Sequence, residues 1–296
     1  MSSPYVSPLR YPGGKRRLTN YVKYVFKYNN LLDGLYIEPF AGGASVALSL
    51  LFDEYVSYIY INDISKPIFA MWHTILHETD ALCSLIEDVD ITVNEWHKQR
   101  EIYYSNSDFV SLGFATLFLN RTNRSGIIEG GVIGGVNQTG KYKIDARFNK
   151  SDLIRRIRRI ARYKDRIRIY NMDAIDFLQS IVSPLSGNIL VYLDPPYYKK
   201  GKDLYVNFYD ENDHVAIANY LSTASVRWMI SYDDVPEIRA LFSNYRSITY
   251  RLSYSAASRY SGKEVMFFHN DIVIPPIPDP VQVSLRKGNN QIIVGA

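Results

Sequence analysis

The segment Leu35-Tyr36-Ile37-Glu38-Pro39-Phe40 is a short run of buried-strand character, followed by Ala41-Gly42-Gly43-Ala44-Ser45 and an apolar helical run over 46–51. Strand, glycine turn and helix in that order form the first half of a βαβ unit. A second strand follows over 58–61 and ends at Asn62-Asp63, with Ser65 placed to cap a helix through Ile68, Met71 and Ile75. Upstream, Arg10-Tyr11-Pro12-Gly13-Gly14-Lys15 reads as a turn leading into an amphipathic helix over 18–28.

Downstream the alternation continues. Residues 82–119 read mostly helical, most clearly over 92–104, and 126–148 are glycine-rich, predicting loops or a β-hairpin. A basic amphipathic helix over 152–163 precedes a strand over 167–170 that ends at Asn171-Met172-Asp173. The apolar strand 188–193 stops at Asp194-Pro195-Pro196-Tyr197-Tyr198, and a helix over 213–221 and strands near 227–231, 247–252 and 265–270 follow. Such alternation predicts an α/β fold, a largely parallel sheet with helices on both faces and binding sites at the strand C-termini. The tail from Pro275 has four prolines in six residues and reads as an extended segment.

Composition limits the function classes. At 296 residues, 47% hydrophobic and 22% charged, the chain has material for one large α/β domain with an insertion. A single cysteine, Cys83, excludes an intrachain disulfide framework and a cysteine metal cluster, and it suits a reducing compartment. No stretch approaches the ~20 apolar residues of a membrane-spanning helix, so no membrane partner is expected, and with one cysteine no metal is expected either. The net charge of +4 is unevenly divided. From Arg121 to Arg168 there are fourteen Lys/Arg against four acids, which leaves the remainder of the chain acidic. That predicts a polyanion-facing insert in an acidic body.

Three strand-end sites carry chemistry. Glycines at 42 and 43 let the backbone approach a ligand at a helix N-terminus, though without full dinucleotide spacing, which disfavours a nicotinamide enzyme. Asp63 can accept both hydroxyls of a ribose, so with that turn it points to an adenosine-containing cofactor. In Asp194-Pro195-Pro196-Tyr197 the prolines remove N–H donors, leaving a carboxylate and carbonyls for an exocyclic amine, and Tyr197 offers a stacking face.

In this order, the motifs Tyr11-Pro12-Gly13-Gly14-Lys15, Glu38-Pro39-Phe40-Ala41-Gly42-Gly43, Asn62-Asp63, Asn120-Arg121-Thr122 and Asp194-Pro195-Pro196-Tyr197 resemble the Dam-type (D12 class) DNA adenine-N6 methyltransferases. The resemblance spans residues 8–270. It implies a Rossmann-like class I methyltransferase sheet with an inserted, mostly helical recognition region bearing a β-hairpin or loop. The implied division is 1–80 with 165–275 as catalytic domain, 81–164 as target-recognition region, and 276–296 as tail. S-adenosylmethionine is the implied cofactor and double-stranded DNA the implied partner.

The resemblance assigns roles by position. Tyr11, Gly14 and Lys15 would lie along the cofactor, with Lys15 also near the target pocket. Glu38, Phe40, Ala41 and Gly42 would cradle its methionine side, Asp63 its ribose, and Asp173 with Ala174 its adenine. The family often has an aromatic residue where Ala174 stands. Asp194, Pro195, Pro196 and Tyr197 would act on the N6 amine of a flipped-out adenine by direct transfer. Asn120, Arg121, Arg124, Lys141, Lys143 and Arg147 would meet DNA, while Arg155, Arg156, Arg158 and Arg159 read as a solvated face or phosphate clamp. The insert departs from the Gly-Phe-Asn-Gly type of GATC-methylating relatives. The alternatives are methylation of cytosine N4 or an RNA base, and a non-catalytic DNA-binding module. A cytoplasmic site of action, in a bacterium or a virus-infected host, beside a cognate restriction endonuclease, fits the resemblance.

Overall fold

The computed structural model describes residues 5–10, 15–105, 107–198, 209–255, 259–285 and 292–294. In chain order the helices are α1 Thr19–Tyr28, α2 Ser45–Phe52, α3 Lys66–His77, α4 Thr79–Asp88, α5 Val93–Tyr104, α6 Phe109–Thr122, α7 Lys150–Ala161, α8 Ala174–Phe177, α9 Glu211–Thr223 and α10 Pro236–Leu241. The strands are β1 Gly34–Glu38, β2 Val56–Asn62, β3 Ile167–Tyr170, β4 Ile189–Leu193, β5 Arg227–Asp233, β6 Arg246–Ser255, β7 Arg259–Phe268, β8 Val283–Leu285 and β9 Ile292–Val294. The chain forms two compact units, one of residues 1–14 and 65–171, the other of residues 15–64 and 172–296.

The second unit holds six strands of the seven-stranded main sheet, in the order β2-β1-β4-β5-β7-β6. β1, β2, β4 and β5 run parallel to one another, whereas β7 runs antiparallel to both β5 and β6. β4 is buried along its whole length, Ile189 to Leu193, as a parallel strand covered on both faces must be. That is why it reads as an unbroken apolar run. At the open ends of β1, β2 and β4 stand Glu38, Asn62 with Asp63, and Asp194, which the parallel arrangement brings to one edge of the sheet.

The tail differs from the expected extended segment. β8 and β9 pair as an antiparallel hairpin, and the Asn20 side chain in α1 donates to the Val283 carbonyl at 2.9 Å. The prolines at 275–280 do stay out of the ladder, but the apolar residues beyond them pair.

The first unit is helical. α6 is apolar on nearly every side and buried from Leu112 to Thr122, as a central helix is. A Cβ at Gly113 would come within 2.5 Å of Thr74 Oγ1 and 2.8 Å of the Ala70 carbonyl, so glycine there allows α6 to cross α3 closely. This packing groups α3 with the insert, so the compact units divide at 64/65 and 171/172. The expected functional division lies at 80/81 and 164/165. Cys83 in α4 is buried.

Between α6 and α7 the glycine-rich stretch makes no hairpin ladder. Among the described residues it has one isolated bridge, Asn123 with Val132. Left-handed backbone at Gly134 (φ 85°), Gly135 (φ 77°) and Gln138 (φ 50°) curls the chain instead. The Gln138 side chain holds the curl, donating to the carbonyls of Ile133 (2.7 Å) and Gly135 (2.6 Å) and accepting from the Ile144 N–H (2.8 Å).

Candidate active site

The glycine turn after β1 is bound to the end of β2 by three hydrogen bonds. The Gly42 N–H donates to Asp63 Oδ2 (2.9 Å), the Ala41 N–H to the Asn62 carbonyl (2.9 Å), and Asn62 Nδ2 to the Pro39 carbonyl (3.0 Å). Gly42 (φ 44°) and Ala44 (φ 45°) are both left-handed, so the turn folds back tightly before α2 begins at Ser45. Asn62 is fully buried and also exchanges two 3.0 Å bonds with Met172, giving to its carbonyl and accepting from its N–H. One side chain thus links the turn, the second strand and the loop that carries Asp173.

Around this turn lie the other cofactor candidates. Glu38 is buried and accepts from the Ala47 N–H at 3.2 Å, and burial, with Asp194 adding to it, pushes its carboxyl up to about 8. Asp173 caps α8, accepting from the Ile175 N–H at 2.8 Å, and Ala174 beside it is buried. An aromatic ring reaches this region from elsewhere: Tyr209 packs edge-on against Phe40, with centroids 5.5 Å apart. Its phenol is pushed up by burial and then by the carboxylates of Asp173 and Asp213. Tyr11 and Gly14 lie outside the described residues.

The tetrapeptide after β4 sits on a buried polar cluster. Asp194 Oδ1 pairs with Lys15 Nζ at 2.8 Å and accepts from Ser231 Oγ at 3.1 Å, and Ser231 Oγ lies 2.9 Å from the Tyr192 hydroxyl. Among the described residues Oδ2 has no partner. Tyr197 donates its hydroxyl to Glu264 Oε1 (2.8 Å), Tyr250 donates to Glu264 Oε2 (2.8 Å), and Lys15 Nζ lies 3.5 Å from Oε1. The Tyr198 N–H donates to Asp233 Oδ1 at 3.0 Å, so the end of β5 holds the chain just beyond the tetrapeptide.

Exposure within this cluster is uneven: the Lys15 and Glu264 side chains are 3% and 2% exposed, and that of Asp194 is 26% exposed. Only the aspartate opens outward. Burial works against the Lys15 ammonium, but Asp194, Tyr197 and Glu264 hold its pKa well above the ordinary lysine range. Lys15 therefore belongs with the tetrapeptide. Pro195 and Tyr197 are buried and Pro196 is half-buried.

Glu264, Ser231, Asp233, Tyr250 and Tyr209 are absent from the sequence-based candidates. Glu264 had a legible signal, a carboxylate opening the apolar run Val265-Met266-Phe267-Phe268 on a central strand. Tyr209 had none, as one tyrosine among 25.

In the first unit the DNA candidates separate by burial. Asn120 is 1% exposed, donating to the carbonyls of Arg10 (2.8 Å) and Gly126 (2.7 Å) and accepting from the Arg10 N–H (2.8 Å). Arg121 is buried with its Nε on the Arg147 carbonyl at 2.8 Å, and burial lowers its pKa to about 10. Both side chains face inward. Arg124, Lys141, Lys143 and the Arg147 side chain face outward. Of the α7 arginines, Arg155, Arg158 and Arg159 are exposed, whereas Arg156 is buried, paired with Asp152 and donating to the Ser7 carbonyl at 2.8 Å. Among the described residues no helix is long and apolar enough to cross a membrane, and no three His, Cys, Asp or Glu side chains are grouped as metal ligands.

Known proteins are similar in sequence to this chain. The Type II methyltransferase M.MjaIII of Methanocaldococcus jannaschii is 23% identical over 235 residues, covering 72% of this chain and 78% of that protein. The Type II methyltransferase M.CviBI of Paramecium bursaria Chlorella virus NC1A is 23% identical over 225 residues, covering 74% and 80%. The modification methylase StsI of Streptococcus sanguinis is 23% identical over 248 residues, covering 76% of this chain and 35% of that longer protein. The family model of the D12 class N6 adenine-specific DNA methyltransferases matches residues 11–256, which include every strand-end motif described above. With its parallel sheet closed by an antiparallel β7, the chain belongs to the D12 class of N6 adenine-specific DNA methyltransferases.

Proposed function

We propose that this enzyme, which takes its methyl group from S-adenosylmethionine, acts on an adenine swung out of a DNA duplex, with Asp194 and the Pro195 carbonyl receiving the N6 amine. The observation that carries this reading is the Asp194 carboxylate, anchored through one oxygen by Lys15 and Ser231 and open at the other. An amine buried in a stacked duplex cannot reach such a group, and extruding the base costs a few kcal/mol. Hydrogen bonds from N6 to the carboxylate and carbonyl favour a tetrahedral nitrogen, whose lone pair is otherwise delocalised into the ring. Tyr197, its hydroxyl tied to Glu264, holds its ring in one plane beside the amine. The chain's contribution is orientation and electrostatics, with no covalent intermediate on a side chain.

The residues present suit the cofactor. A carboxylate at the end of β2, a turn with no side chain larger than a methyl from Ala41 to Ala44, and the Phe40–Tyr209 pair offer a ribose acceptor, close backbone approach and an aromatic wall. When bound, S-adenosylmethionine supplies an electrophilic methyl group on a sulfonium. Asp63 would hold its ribose, Glu38, Phe40, Ala41 and Gly42 its methionine side, and Asp173 its adenine. Tyr209 takes the place of the aromatic residue absent at Ala174.

Target recognition we assign to the helical insert, with Arg124, Lys141, Lys143 and Arg147 at the DNA and Asn120 and Arg121 bracing the loop from within. The Type II names of the relatives support work in the cytoplasm of a bacterium or infected host cell, beside a cognate endonuclease. A nucleoside digest of duplex DNA incubated with the enzyme and methyl-labelled cofactor tests the reading. Label in N6-methyladenine is expected, and label in N4-methylcytosine, or only with RNA, overturns it.

A further inference from the structure

We propose that Glu264 is a positioning residue of the methyl-transfer centre: from β7 it fixes the Tyr197 hydroxyl and shares the Lys15 ammonium with Asp194, giving the cluster its second negative charge. The inference rests on the assignment of Asp194 as the group that receives the amine.

The placement follows from the strand order. β7 lies between β5 and β6, and Glu264 is the register partner of Asp233 on one side and Tyr250 on the other. Paired residues on antiparallel strands project from the same face, so Tyr250 and Glu264 meet, at 2.8 Å. Both carboxylate oxygens are used, one by Tyr250 and the other by Tyr197 with Lys15. A buried carboxylate in a central strand is costly to keep, and hydrophobic residues of similar size commonly fold as well. Its three partners are the ring next to the target amine, the cation that pairs with Asp194, and a tyrosine that orients it.

Charge makes the arrangement useful. Methyl transfer to N6 forms an N–C bond as the sulfonium S–C bond breaks and its electron pair returns to sulfur, and positive charge builds on nitrogen until the N6 proton leaves to solvent. Lys15 alone would neutralise Asp194 and leave the cluster with no net charge. With Glu264 ionised, two carboxylates surround one ammonium, and the remaining negative charge faces the developing cation in a buried setting. The titratable groups facing Glu264 are Lys15, Asp194, Tyr197 and Tyr250, with Tyr192 on β4 and Asp233 across on β5. Burial raises the Glu264 carboxyl above the ordinary range, opposed first by Lys15.

The test is single-turnover methylation by Glu264→Gln from pH 5.5 to 9, with cofactor and DNA affinities measured separately. Glutamine keeps an acceptor for Tyr197 but removes the charge. The expected result is a fall in the methylation rate on the order of ten- to a hundredfold, cofactor and DNA Kd within about threefold, and an acid limb moved to lower pH. A wild-type rate, or a lower rate with an unmoved limb, overturns the proposal. If Glu264→Gln does not fold, Tyr250→Phe, which weakens the ionised form, is expected to lower the rate a few-fold with a limb moved to higher pH. An unchanged rate and limb there count against the proposal equally. Asp194→Asn run in parallel separates the two assignments, because full turnover by that variant removes the amine-receiving role whatever Glu264 does.

Discussion

Asp63 at the end of β2 and Gly42 in the turn after β1 are joined by a 2.9 Å hydrogen bond from the glycine N–H to the aspartate carboxylate. The group assigned to the ribose therefore also fixes the backbone assigned to the methionine end. Asp63→Ala should raise the cofactor Kd on the order of a hundredfold or more, since it removes charged acceptors for two hydroxyls, each worth about 1.5 kcal/mol or more, and loosens the turn. Asp63→Asn, which keeps an oxygen for Gly42, should lose less. Calorimetric titration of cofactor into each variant measures the difference, and equal affinities for wild type and alanine variant would remove Asp63 from the site.

Asp194→Asn keeps the shape of the tetrapeptide and leaves Lys15 facing a neutral amide. The methylation rate should fall on the order of a thousandfold, while duplex binding in a mobility-shift assay stays within a few-fold of wild type. A parallel loss of binding would show that the residue supports the interface instead of the reaction.

Both sites were legible where the pattern is local. An apolar strand broken by glycine at 42 and 43, and another stopped by two prolines after Asp194, announce their ends in consecutive residues. Glu264 meets Lys15 and Tyr197 across 249 and 67 residues, and such pairing depends on strand order and register. The charge count located the insert but could not separate cations that face solvent, such as Lys141, from those that brace the fold, such as Arg121. A guanidinium has the same formal charge in either place.

Glu38 gives a pH dependence of definite sign. Burial pushes its carboxyl in the fold from the ordinary 4.5 up to about 8. Between these values the folded chain holds a proton that the unfolded chain has released, so cofactor-free stability falls as pH rises through that window, by at most about 1.4 kcal/mol per pH unit. Below it the contribution is fully present. Urea unfolding at pH 5.5 and 7.5 should show wild type losing more stability than Glu38→Gln over the same interval. Parallel losses would mean that Glu38 is already ionised in the fold.

Asn120 spans from α6 to the Arg10 backbone and the Gly126 carbonyl. Asn120→Ala leaves these buried groups without partners and should destabilise the protein by about 2–3 kcal/mol, seen as a lower urea midpoint. If Asn120 instead read a base, the midpoint would hold and only the sequence preference would change.

Lys141 and Lys143 make the counterpart case, since both are exposed on the chain between the curled loop and α7. Lys143 reaches back to the Gln138 carbonyl and Lys141 lies over the Tyr142 ring, 5.8 Å from its centroid, while both side chains stay exposed to solvent. A cation already positioned loses little freedom on meeting a phosphate, and each phosphate contact releases condensed counterions from the duplex. Replacing both lysines with glutamine should reduce the slope of log binding constant against log salt by about 1.8, with affinity falling most at low salt. Specific and non-specific duplexes should weaken alike, because phosphate contacts carry no sequence information. Titrations of both duplexes between 50 and 200 mM salt measure this, and an unchanged slope would place the two lysines away from the DNA backbone.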